Sequence, residues 1–307
     1  MKLKRVLVTG GAGFIGSHTV RRLLETEAQV VVLDNLSSGA ITNLDLSHPN
    51  LDFVEGDILE YPLLVDLIEG CDAVLHLAAI ASVPLSIEDP VYTFQVNTQG
   101  FLHVLEAVRT ALCPARLVYA SSAAVYGDAT VLPCDDTKPL ISTPLSPYAL
   151  QKIENESYAA LYKRLHAQAS LGLRYFNVYG QGQDPHSPYS GVISRFMEEA
   201  RQGKALAIYG DGLQSRDFIH VNDIANANVL ALQSDYHGVL NVATGKPETL
   251  LNLVKYIESA CGTSIATGHL PARPGDILHS YGTVSAAETQ LGFKAAINLQ
   301  SGIKTLL

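Results

Sequence analysis

Three glycines constrain this chain more than any other feature. Gly11, Gly13 and Gly16 stand at G-x-G-x-x-G spacing between a β-branched run, Arg5 to Thr9, and a segment with helical apolar spacing, Phe14 to Thr26. A second strand-like run, Gln29 to Asp34, follows, so the opening reads as one βαβ unit. Glycine at these places permits a tight turn, lets backbone amides approach a pyrophosphate, and lets the helix pack closely on the sheet. The N-terminus of that helix also faces negative charge favourably. Glycines in a turn are, by themselves, equally compatible with a structural role. Their position after a strand and before a helix, with Asp34 closing the second strand, favours a bound dinucleotide. Asp34 can accept hydrogen bonds from an adenosine ribose and would repel a 2′-phosphate, so the expected cofactor is NAD rather than NADP.

The alternation continues through Leu51 to Val54, a helix near Tyr61 to Glu69, Ala73 to Leu77, a long helix from about Pro90 to Leu112, and Arg116 to Tyr119. A helix from about Tyr148 to Gln168 then leads into a buried strand, Ser170 to Phe176. This pattern predicts an α/β fold: a Rossmann-type doubly wound parallel sheet with helices on both faces. A composition that is 47% hydrophobic and only 17% charged suits strands buried on both sides. Gly180 to Tyr189 lacks periodicity and reads as a loop leaving the sheet, while Asp217 to Val221 and Val239 to Val242 look like strands that re-enter it. A length of 307 residues is long for one compact unit and short for three. The expected division is a cofactor domain over 1–176 plus about 217–243, and a smaller C-terminal substrate-binding domain over about 177–216 plus 244–307.

A formal net charge of -9 argues against nucleic acid or an anionic membrane as partner, since both need a basic field. An anionic ligand must then be held by a few local cations. The four cysteines, Cys71, Cys113, Cys134 and Cys261, form no CxxC pair and stand with no histidine cluster at metal-ligand spacing. They read as reduced thiols of a cytoplasmic protein without a metal. The apolar run after the basic start stops at Thr9-Gly10, too short for a signal peptide or membrane span.

Tyr148 and Lys152 fall one helical turn apart on one face. A nearby ammonium stabilises a phenolate, which would make the tyrosine a usable general base near neutral pH. Such a pair is common on helix surfaces and gains meaning only from its company. Together with Thr9 to Gly16, Asp57-Ile58, Leu77-Ala78-Ala79, Ser121 to Gly127 and Arg174 to Gly180, it makes the chain resemble, nearly end to end, the extended short-chain dehydrogenase/reductases that modify nucleotide sugars. The resemblance implies that Ser122 hydrogen-bonds the sugar 4-hydroxyl, Tyr148 removes its proton, and Lys152 binds the nicotinamide ribose and lowers the tyrosine pKa. It further implies NAD contacts from Gly10, Gly13, Phe14, Ile15, Gly16, Asp34, Asn35, Ser38, Gly39, Asp57, Ile58, Leu77, Ala78, Ala79, Asn97, Ser121 and Tyr175. Tyr175 can also be read as an ordinary core tyrosine, and His220 reads as a core histidine rather than a catalytic acid.

Within that family, dehydratases and decarboxylases carry an acid just before the Val-Tyr-Gly, where this chain has Ala123 and Ala124. The resemblance therefore implies epimerisation at C4, with hydride returned to the opposite face of a 4-keto sugar. The nucleotide must be held firmly while the hexose turns. Arg216, Arg273 and Asn177 match the family's phosphate or sugar contacts, Ala207 and Tyr209 lie where uracil packs, and Asp276 would bind the uridine ribose. Ala81, Ser82, Gln183 and Val192 complete the expected substrate contacts. Ser280 stands at the family's gate position, where a bulky tyrosine restricts the sugar and a small residue leaves room for an acetamido group. The expected substrates are UDP-N-acetylglucosamine and UDP-N-acetylgalactosamine, with UDP-glucose and UDP-galactose not excluded, because crowding rejects large ligands and not small ones. A UDP-glucuronate 4-epimerase, a UDP-glucose-specific 4-epimerase and a non-catalytic NAD-sensing protein are the rival readings. The helices near 90 to 112 and 148 to 168 lie where the family forms a homodimer interface; on pattern alone they are surface helices of a monomer.

Overall fold

A computed structural model of the protein describes residues 3–185, 191–272 and 277–307. Its first half alternates as the hydrophobic pattern requires: β1 (Arg5–Thr9), α1 (Phe14–Leu24), β2 (Gln29–Asp34), β3 (Leu51–Glu55), α2 (Tyr61–Ile68) and β4 (Ala73–His76). Two short helices, α3 (Val83–Glu88) and α4 (Pro90–Phe94), then lead through a π-helical turn at Gln95–Gln99 into α5 (Gly100–Thr110). The single helix expected from about Pro90 to Leu112 is thus interrupted. A π-turn inserts an extra residue into the spiral, and here the interrupted stretch carries Asn97, whose buried amide reaches back to the loop after β4. β5 (Arg116–Ser122), α6 (Pro147–His166) and β6 (Ser170–Tyr175) follow. Ser146 caps α6 by accepting from Ala149 N, and Pro147 sits in its first turn, where a missing N–H costs nothing.

The rest of the chain supplies β7 (Asn177–Tyr179), α7 (Val192–Arg201), β8 (Leu206–Tyr209), β9 (Ser215–His220), α8 (Val221–Gln233) and β10 (Gly238–Val242). It ends with β11 (Pro247–Thr249), α9 (Leu250–Cys261), β12 (Thr267–Leu270), β13 (His279–Ser280), α10 (Ser285–Leu291) and α11 (Leu299–Lys304).

Seven parallel strands form the main sheet in the order β10-β6-β5-β4-β1-β2-β3. Strand residues alternate between two apolar layers, as a period of two dictates. Val6, Val8, Val30 and Val32 face one layer, which includes Val20, Leu23, Ile224 and Leu232 of α1 and α8. Leu7, Val31 and Leu33 face the other, with Leu64 of α2, Phe101 of α5 and Ala159 of α6. The strand order reverses between β1 and β4, which opens a crevice at their carboxyl ends.

The strand expected over 217–221 does not rejoin this sheet. β9 pairs instead with β7, β11 and β13 in a smaller sheet, while α8, β10 and, later, α10 return to the main one. Alternation in sequence could not show this, because a buried strand reads the same whichever sheet it joins. The smaller lobe has its own core, built on Ile193, Phe196, Ile208, Phe218, Leu253 and Ile303.

Candidate active site

The turn after β1 is shaped by contacts that no side chain could survive. Gly10 has φ +72°, and a Cβ there would lie 2.6 Å from Ala78 N. A Cβ on Gly16 would lie 2.0 Å from the Gly10 carbonyl oxygen. Gly13 is different: its Cβ would meet only the Gly10 oxygen, at 3.3 Å, so the fold itself asks little of that position. The side that stays open is the start of α1, where no side chain caps the helix, and its first-turn amides are placed to receive an anion. Gly39 packs against the same turn, with a Cβ position 2.8 Å from the Ala12 carbonyl carbon.

Asp34, buried at the end of β2, accepts from Ala12 N and Leu36 N, both at 2.9 Å. It therefore braces the glycine turn, and a carboxylate has further lone pairs for a ribose. Asn35 Nδ2 donates to Asp57 Oδ2 at 2.8 Å and ties the ends of β2 and β3 together. Ser38 is exposed beside them, and Ile58 is buried under α5. Phe14 and Ile15 lie half-buried in the first turn of α1. Leu77, Ala78 and Ala79 form the facing wall after β4, held by Leu77 N donating to Thr9 O.

Ser122 closes β5, and Tyr148 and Lys152 come from the start of α6. The Ser122 hydroxyl accepts from Ala124 N at 3.1 Å, and its interaction with the Tyr148 phenol acts to lower that group's pKa. Lys152 Nζ donates to Ala120 O at 2.9 Å and lies 5.8 Å from the Tyr148 ring centre. Thus the three residues converge as expected. The electrostatics need a correction. Burial raises the Tyr148 pKa and the Ser122 hydrogen bond opposes this, while burial pulls Lys152 down to about 8. Desolvation is the larger influence on Tyr148, because the phenolate is the form that burial penalises.

Several expected cofactor residues direct their side chains into the scaffold. The Asn97 amide bonds Ile80 N at 2.7 Å, Ile80 O at 3.0 Å and Gln151 Oε1 at 2.8 Å. Ser121 Oγ donates to Glu156, and the Tyr175 hydroxyl donates to Asn228 Oδ1 at 2.6 Å. His220 is buried, in edge contact with Tyr179, which fits a core histidine.

The expected substrate contacts are spread over the smaller lobe. Asn177 is exposed at the start of β7, paired in register with Phe218. Ala207 and Tyr209 are half-buried on β8. Arg216 on β9 is the register partner of Ser280 on β13, so two residues more than sixty positions apart in sequence become neighbours. Ala81 is exposed; the Ser82 hydroxyl next to it caps α3. Gln183 Nε2 donates weakly to Val178 O, and Val192 opens α7. Arg273 and Asp276 lie outside the described residues.

The profile of the NAD dependent epimerase/dehydratase family matches residues 6–243, which spans the main sheet and the three converging residues. The chain belongs to this family. A UDP-glucose 4-epimerase from Mycolicibacterium smegmatis is 36% identical over 303 residues, covering 97% of this chain and 96% of its own. A solved UDP-N-acetylglucosamine 4-epimerase from Methanobrevibacter ruminantium M1, in complex with UDP-N-acetylmuramic acid, is 39% identical with a TM-score of 0.93, covering 99% of this chain and 98% of its own. A UDP-glucose 4-epimerase from Thermotoga maritima, solved with UDP-glucose, is 34% identical with a TM-score of 0.91 over 98% of this chain and 96% of its own. The protein is accordingly an NAD-dependent UDP-sugar 4-epimerase of that family. The residues present fit the cofactor: a glycine cradle open only at Gly13, uncapped amides of α1, and a buried acid where a ribose would lie.

Sequence reasoning missed the residues that hold this site in place. Gln151 and Asn155 on α6 bond the Asn97 side chain and carbonyl, and Glu156 and Arg174 form a buried ion pair beneath Ser121. The one available signal was position: Glu156 repeats the i to i+4 step from Lys152, and Arg174 sits inside a strand buried throughout.

Proposed function

We propose that this UDP-sugar 4-epimerase interconverts UDP-N-acetylglucosamine and UDP-N-acetylgalactosamine, also accepting the non-acetylated sugars. The observation that carries the substrate choice is Ser280, a small, half-buried residue set beside Arg216 in the smaller lobe. A hydroxymethyl there leaves the volume an acetamido group needs. Similarity to a solved UDP-N-acetylglucosamine 4-epimerase supports the same reading.

NAD, when bound, would be held by the Gly10 to Gly16 turn with Asp34 at its ribose, and would supply a reversible hydride acceptor. Tyr148 takes the proton of the sugar 4-hydroxyl as the carbinol is oxidised, and Ser122 orients that hydroxyl. Lys152, protonated below about 8, favours the phenolate through its charge. Ala123 and Ala124, in the turn after Ser122, provide no acid for elimination or decarboxylation. The ketone therefore persists until the sugar has turned, and Tyr148 returns the proton when the opposite face is reduced. Arg216 and Arg273 would fix the pyrophosphate during that turn, since a planar fork of donors suits phosphate. Exposed apolar residues on α3, α4 and the start of α6, including Ile87, Val91, Phe94 and Leu150, support a homodimer.

Incubation of the purified protein with UDP-glucose, UDP-N-acetylglucosamine and UDP-glucuronate separately, followed by NMR of each 4-epimer, tests the proposal. Faster turnover of the acetamido sugar without added NAD is expected. Equal or faster turnover of UDP-glucose overturns the preference.

A further inference from the structure

Glu156 lies one helical turn beyond Lys152 on α6, as Lys152 lies one turn beyond Tyr148. Both of its oxygens are engaged. Ser121 Oγ donates to Oε1 at 2.6 Å, Arg174 Nε to the same oxygen at 2.8 Å, and Arg174 Nη2 to Oε2 at 2.6 Å. The side chains of Arg174 and Glu156 are only 3% and 9% exposed. A buried ion pair is weak support for stability, because desolvation offsets much of the attraction. Its placement gives it another use.

The residues proposed to do the chemistry come from two elements, Ser122 from β5 and Tyr148 with Lys152 from α6. Side chains of α6 cross to β5 at the two residues just before Ser122: Lys152 bonds Ala120 O and Glu156 bonds Ser121 Oγ. Arg174, on the neighbouring strand β6, clamps the carboxylate with its fork and uses its remaining nitrogen on the Tyr126 hydroxyl at 2.8 Å. We propose that Glu156 is the positioning residue of the site. It locks α6 to β5 so that Ser122 faces Tyr148, and it supplies the negative charge that keeps the Lys152 ammonium protonated where water is excluded.

The groups around Lys152 bear this out in kind. Tyr148 and Glu156 face it from α6 and His76 from β4, while Arg174 on β6 and Tyr119 on β5 lie on the far side, about Glu156. His76 is neutral, since burial pushes it down to about 3, and burial pushes Tyr119 upward into its neutral form. Arg174 is a second buried cation, and it pairs with the same carboxylate. Glu156 is the anion acting against the desolvation of Lys152.

The inference rests on the assignment of Tyr148 and Lys152, and the test separates the two. The NAD-loaded enzyme is compared with Glu156→Gln, Ser121→Ala and Tyr148→Phe, following kcat, KM, the pH profile of kcat/KM and thermal melting. Lys152 works protonated, so its contribution to the rate is full below its pKa and is lost as pH rises through it. In Glu156→Gln this basic limb moves to lower pH by about one unit or more. Ser121→Ala keeps the ion pair and lowers kcat about tenfold, with KM and the basic limb unchanged. If the orphaned Arg174 prevents Glu156→Gln from folding, the double variant Glu156→Gln with Arg174→Met removes it, and the limb still moves acidward. A folded Glu156→Gln or double variant with the wild-type limb overturns the charge role, and wild-type kcat in Ser121→Ala overturns the lock. Wild-type turnover in Tyr148→Phe overturns the catalytic assignment itself, and this inference with it.

Discussion

The crevice at the ends of the main-sheet strands and the smaller lobe, which we propose faces the sugar, are built in opposite ways. The crevice comes from short contiguous stretches at the ends of β1, β2 and β4, and its shape is enforced by backbone contacts with no room for a methyl group at Gly10 or Gly16. The lobe gathers single residues from distant segments, such as Asn177 on β7, Ala207 on β8, Arg216 on β9 and Ser280 on β13. A crevice fixed by sterics tolerates little change, and every member of the family needs the same hydride carrier. A surface assembled from separate strands can change one side chain without disturbing the rest, which is where a choice between sugars can be made.

The largest effect should come from the residue that joins the two regions. Tyr148→Phe is expected to lower kcat by roughly 10²–10⁴-fold, with the melting temperature and retained NAD unchanged; steady-state assays and the absorbance of released cofactor check this. In the lobe, Ser280→Tyr should reduce turnover of UDP-N-acetylglucosamine relative to UDP-glucose by about 10–200-fold, the range a pocket's size discrimination reaches. An unchanged ratio, read from competition assays, would show that the sugar is selected elsewhere.

In the crevice, Gly16→Ala should destabilise the protein by about 1–3 kcal/mol, as overpacking does, because its methyl meets the Gly10 carbonyl. Gly13→Ala should melt close to the wild type and lose affinity for NAD instead. Equal melting of the two variants would contradict the division between a steric and a ligand-facing glycine. The smallest effect is on stability and concerns Lys152, whose folded pKa of about 8 lies below its ordinary 10.5. The unfolded chain binds the extra proton between those values, so this group's penalty is full below about 8 and is relieved as pH rises toward 10.5. Lys152→Met should therefore raise the melting temperature slightly at neutral pH, with the gain fading in alkaline buffer.

Much of this was legible in the chain because local patterns carried it. The glycine spacing, Asp34 at a strand end and the helical step from Tyr148 to Lys152 are short-range features whose geometry follows from the element they lie in. The fate of β9 was not, because pairing with β7 and β13 is a long-range choice. Asn97, Ser121 and Tyr175 show the same limit. Sequence places them at the site, but only packing shows that their polar atoms bond Ile80 and Gln151, Glu156, and Asn228.

By itself, then, the sequence determined the Rossmann-type alternation, the cofactor turn and the identity of the three converging residues, since each depends on neighbours within a few positions. The tertiary structure alone decided that Arg216 meets Ser280, that burial pushes the Tyr148 phenol upward, and that Glu156 and Arg174 stand behind the site. Strand register, desolvation and the pairing of buried charges arise only when segments far apart in the chain are brought together and water is removed from between them.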